Sequence, residues 1–147
     1  MRSLSFCLLA VLLLCSVPVA AQTNLAAPAT MVLLPGYQHA PVPTPRDSRN
    51  GRIWKDQGLS ISYQAGGLAG NRVNGNPNLL WSKEMTVRGN RVQIGMTRDR
   101  MLIVVLSSPT PPPEVPGSAL PANFYATVNT EEDIADMLLM VMTYNPT

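Results

Sequence analysis

Trp81-Ser82-Lys83-Glu84-Met85-Thr86-Val87-Arg88-Gly89-Asn90-Arg91-Val92-Gln93-Ile94-Gly95-Met96-Thr97 is two alternating runs on either side of a short turn. Alternation of period two marks a strand with one buried face. Gly89-Asn90 reads as a two-residue loop with glycine at the first central position, a type II′ turn whose twist matches its strands. That loop predicts a register. Val87 faces Val92, Met85 faces Ile94 and Lys83 faces Met96 on one side, and Glu84, Thr86, Arg88, Arg91 and Gln93 share a wet side. Arg88 opposite Arg91 is mildly repulsive, which a solvated hairpin end tolerates.

Downstream, Arg98-Asp99-Arg100 makes the next turn, and Met101-Leu102-Ile103-Val104-Val105-Leu106 follows with no polar interruption. Such a run fits a strand covered on both faces. The cover for its second side is the C-terminal helix, the N-terminal leader or another subunit. Six prolines within 109–121 form a stiff loop that cannot join a sheet. Residues 123–128 read as a short strand, and a helix follows. Thr130 is its N-cap and Asp133 takes the capping-box place, with first-turn acids suited to the dipole. Ile134, Met137, Leu138, Val141 and Met142 recur at helical spacing as an inward stripe, while Leu139 and Met140 lie off it.

Upstream, Leu59, Ile61, Tyr63 and Ala65 alternate with Ser60, Ser62 and Gln64 as another half-buried strand. Gly66-Gly67-Leu68-Ala69-Gly70-Asn71 breaks it, and a polar connection rich in Gly and Asn continues through residue 78. The expected fold class is α+β: a small, mostly antiparallel sheet of four to five strands packed on one C-terminal helix. Residues 53–147 form this single domain. Residues 22–52, with Pro28, Pro35, Pro41, Pro43 and Pro45, read as a Pro-rich flexible leader, disordered or extended.

Residues 1–21 have the pattern of a signal peptide: Arg2, an apolar run over 6–14, Pro18, and the small residues Val19-Ala20-Ala21 before Gln22. The run is too short for a membrane anchor, and Leu14 stands where lipidation of Cys15 wants a small residue. Cleavage removes Cys7 and Cys15, so the exported chain has neither disulfides nor thiolate metal sites and depends on a hydrophobic core. The expected location is exported, periplasmic or secreted, with no stable membrane insertion after cleavage. Without Arg2 the chain carries ten basic and nine acidic side chains. The cations are spread over 46–100 rather than gathered in a stripe with aromatics, so no nucleic-acid partner is expected.

Candidate chemistry is sparse. His39 is the single histidine and falls in the leader, where a fixed partner is not expected. The acids of 131–136 serve capping better than a carboxylate pair. The 66–70 glycines lack the Lys-Ser/Thr ending of a phosphate loop. Met137, Met140 and Met142 resemble thioether clusters for Cu(I), but methionine also packs cores and adaptable interfaces. Trp54 and Trp81 read as core anchors. No catalytic, cofactor or metal residue is assigned. The apolar surplus marks Leu139, Met140, Met31 and Leu33 as candidate interface residues, for a protein partner or a homodimer. The expected function is a non-catalytic exported binding or structural module of the cell envelope acting through protein–protein contacts. The alternative is an exported small-ligand or Cu(I) carrier using its methionines.

Overall fold

The structure, a computed structural model, describes residues 31–44, 48–66, 69–107 and 121–144. Its elements are β1 (Tyr37–Val42), β2 (Ser48–Lys55), β3 (Ser60–Gly66), β4 (Leu79–Val87), β5 (Asn90–Thr97), β6 (Met101–Ser107), β7 (Ala122–Thr127) and α1 (Glu131–Val141). The strands form one antiparallel sheet in the order β1-β2-β3-β7-β6-β5-β4. The α+β class holds. The expected four to five strands are seven, because the stretch read as a leader supplies β1 and most of β2. Pro41 in β1 does not forbid this, since a strand at the rim needs donors on one side only. The signal peptide expected over 1–21 and residues 108–120 of the proline-rich stretch lie outside the described residues.

Two meanders, β1–β3 and β4–β7, join through the β3–β7 pairing. The chain must therefore travel from β3 to the far rim before β4 can start. Four inter-strand spacings separate them, about 19 Å at 4.8 Å each. The connection runs across one face of the sheet, and this answers what covers the second side of β6. Leu102, Val104 and Leu106 point into the main core with the helix, while Ile103 and Val105 form a second cluster with Val73 from the crossing chain. Leu79, Met101 and Tyr125 pack against that second cluster. Neither the helix nor the leader nor another subunit is needed there.

Several side chains hold the crossing chain down. Asn123, fully buried on β7, donates through Nδ2 to the carbonyls of Ala69 and Gly70, the latter at 2.6 Å, and accepts from the Arg72 amide at 3.3 Å. The Arg72 guanidinium lies 4.4 Å over the Tyr125 ring. Asn71 Oδ1 accepts from the amides of Val73 and Asn74, both at 2.9 Å, an Asx turn within the loop. Gly95 completes the fit: a Cβ there would stand 2.8 Å from Leu79 Cδ2 and 3.4 Å from Val73.

The β4–β5 hairpin differs from expectation by a two-residue shift. Val87 pairs with Asn90, Met85 with Val92 and Lys83 with Ile94, so the loop is Arg88-Gly89. Both loop residues have positive φ, 51° and 80°, which defines a type I′ turn with glycine second. A shift of two keeps every side chain on its expected face. It also moves Arg91 from Arg88 to Thr86, within reach of Glu84.

The helix begins as read from the sequence. Thr130 accepts from the Asp133 amide at 3.1 Å, and Asp133 Oδ2 accepts from the Thr130 amide at 3.0 Å. Its deepest residues are Met137, Met140 and Val141, all fully buried. The stripe is thus rotated toward Met140, which follows the i, i+3, i+4 ridge from Met137. Ahead of β1, Met31 is buried in the same core, and the Val32 amide donates to Thr143 Oγ1 at 2.8 Å.

Candidate functional site

Among the described residues, β1 and β4 are the two rims of the sheet. They differ in chemistry. β1 carries Pro41, one of the devices that blunt an edge. β4 has nine residues and no proline. Its register shifts by one between Leu79 and Trp81, leaving Leu80 as the extra residue of a bulge. The shift turns Leu79 onto the second face, against Val73 and Gly95, and leaves its neighbours in solvent. Leu80 is 65% exposed and Trp81 46%. Trp81 is therefore a rim residue and not the expected core anchor. Trp54 is half-buried, with the Arg52 guanidinium 6.0 Å from its ring.

Beside this rim, on the crossing-chain face, lies a shallow hollow of about 290 Å³. Val73 and Leu79 give it apolar lining, and Asn74, Asn76, Glu84 and Gln93 give it polar walls. The polar groups are mutually fixed. Arg91 grips the Glu84 carboxylate in bidentate fashion, Nε to Oε1 at 2.6 Å and an Nη to Oε2 at 2.7 Å. Gln93 Nε2 donates to the same Oε2 at 2.9 Å and to Asn74 Oδ1 at 3.2 Å, and its Oε1 accepts from Asn71. The Arg91 and then the Gln93 hydrogen bonds hold the Glu84 carboxyl below its ordinary range. A carboxylate so held is a fixed acceptor and a weak base at neutral pH. The arrangement can recognise polar groups of an extended chain laid along β4, with the strand's outer main-chain groups as the template.

The residues singled out in the sequence scatter. Leu139 is 60% exposed and Leu33 half-buried, while Met140 and Met31 are buried in the core, so the four form no common surface patch. Met137 and Met140 share that core and Met142 is half-buried at its edge, so packing accounts for these methionines. His39, expected in a leader, sits on β1 with its ring stacked at 5.6 Å on Tyr63 and Nε2 2.8 Å from the Tyr63 hydroxyl. Tyr63 continues to Phe124 at 5.9 Å, and Phe124 meets Tyr144 edge-on at 5.2 Å. Burial raises the Tyr63 and Tyr144 hydroxyls above their ordinary values. Burial, and then a 2.8 Å bond to Asp136, does the same for Tyr37. Of the 66–70 glycines, Gly66 ends β3 and Gly70 lies in the crossing chain, while Gly67 lies outside the described residues.

Among the described residues no helix is long and apolar enough to cross a membrane, and no group of three His, Cys, Asp or Glu side chains could hold a metal ion. Sequence reasoning missed Leu80 and Trp81. The signal was present: Leu79-Leu80-Trp81 interrupts the alternation, as an extra bulge residue must. Comparison with protein-family models, with curated proteins and with solved structures gave no match.

Proposed function

We propose that the protein is a non-catalytic, exported binding module of the cell envelope that engages another polypeptide along β4. The supporting observation is the pair Leu80 and Trp81, exposed at an open nine-residue rim. Exposed apolar side chains on an unpaired edge are an aggregation liability unless a partner covers them. Edge addition uses main-chain hydrogen bonds for affinity and neighbouring pockets for selectivity, and the hollow behind β4 supplies such a pocket. The export component rests on the residue pattern of 1–21.

A photo-reactive residue at position 80, compared with one at the exposed Gln57, tests the reading in cells that express the full chain. Adducts to a polypeptide from position 80 and not from 57 are expected. Equal labelling from both sites, or none, would contradict it. Mass analysis of the same material should find the chain starting at Gln22.

A further inference from the structure

Resting on that reading, we infer that β4 pairs antiparallel with β4 of a second copy of this chain, Glu84 facing Glu84 across the two-fold axis. In a two-residue hairpin the residues beside the turn exchange both hydrogen bonds, here Val87 and Asn90. By alternation Met85, Lys83 and Trp81 also turn their main-chain groups toward β5. Thr86, Glu84 and Ser82 turn theirs to the open side. The bulge at Leu80 ends the regular run, so Trp81 to Val87 is the usable edge.

A two-fold axis normal to the sheet keeps faces together, so it must pass through a residue position. Centred on Ser82, the regular overlap is Trp81 to Lys83 alone. Centred on Lys83, two ammonium groups meet, and no acid pairs with Lys83 among the described residues. Centred on Met85, Trp81 falls outside the pairing and stays exposed. Centred on Glu84, the whole usable edge pairs. Trp81 then lies opposite Val87 of the second copy, Lys83 opposite Met85, and Ser82 opposite Thr86. Each Glu84 brings its own bidentate Arg91, which reaches it diagonally from the position opposite Thr86, so the two carboxylates at the junction are each balanced by a guanidinium.

Sedimentation of the full chain tests the pairing. A reversible dimer is expected, and Thr86→Pro, which deletes an outward donor, should raise its dissociation constant by at least about tenfold. At dilutions where both are monomeric, the two should melt alike. In a Cys7→Ser, Cys15→Ser background, Glu84→Cys should form an intermolecular disulfide more readily than Met85→Cys, since directly paired Cα atoms lie within bridging distance. A monomer at every concentration, a dimer indifferent to Thr86→Pro, or preferred linkage at position 85 would overturn the inference. A monomer that still labels a different polypeptide from position 80 overturns it while leaving the proposed function standing. Loss of labelling as well removes both.

Discussion

Gly51 is the sharpest place to perturb this fold. It pairs directly with Tyr63, and a Cβ at position 51 would stand 2.4 Å from the Tyr63 hydroxyl oxygen and 2.5 Å from two ring carbons. The ring has little room to retreat. It is 4% exposed, packed on Phe124, and tied by its hydroxyl to His39. An unobstructed Gly→Ala change would stabilise by about 0.4–1 kcal/mol through the unfolded chain. Here crowding costs about 1–3 kcal/mol, and a lost His39–Tyr63 hydrogen bond about 1 kcal/mol more. Gly51→Ala should therefore destabilise by about 2–3 kcal/mol, read from the urea midpoint at unchanged slope. Tyr63→Ala costs more by itself, but adding Gly51→Ala to it should cost nothing further, leaving a coupling of about 2–3 kcal/mol in the cycle. A neutral or stabilising Gly51→Ala, or strict additivity, would refute the placement of β2 against β3.

The remaining predictions concern the crossing chain, the tyrosines and the helix cap. Asn123→Ala leaves the carbonyls of Ala69 and Gly70 without their donor, so a loss of about 2–3 kcal/mol is expected. Amide exchange should quicken over 69–79 ahead of the helix. Burial holds the hydroxyls of Tyr37, Tyr63 and Tyr144 above the ordinary tyrosine value of about 10 in the folded chain. The unfolded chain therefore releases those protons first, so stability is full below pH 10 and falls as pH rises past it. Tyr37→Phe should flatten that alkaline fall in a melting series, and an unchanged slope would contradict the burial of the hydroxyl. Thr130→Ala should cost about 1 kcal/mol through loss of the capping box, measured by thermal melting.

The local elements were legible wherever neighbours in sequence decide the outcome. The alternation of 59–65, the two-sided run of 101–106 and the Thr130–Asp133 cap all appear as read. What escaped was set by distant partners. Tyr37 and His39 look like leader residues until β2 pairs beside them, because a rim strand needs little apolar content. The second cover of β6 follows from strand order alone, which no local pattern encodes. Asn123 reads in sequence only as the first residue of a short strand, yet it is the buried clamp of the crossing chain. The hairpin shift turned on whether glycine stands first or second in the loop, a choice between two turns of similar twist. Met140 was displaced from surface to core by a rotation of the helix within its apolar circumference. At the rim, Leu80 and Trp81 were visible as residues but not as an exposed pair, since exposure depends on β4 being last in the sheet.

The functional account turns on the outer main-chain groups of β4. Amide exchange at Ser82, Glu84 and Thr86 measures them directly, in dilute protein and again at the concentration where the chain associates or meets its partner. The account predicts rapid exchange at these three positions in the dilute state, with Lys83 and Met85 protected, and slowing of all three on association. Slow exchange in the dilute monomer, or association that protects α1 and leaves β4 unchanged, would contradict it.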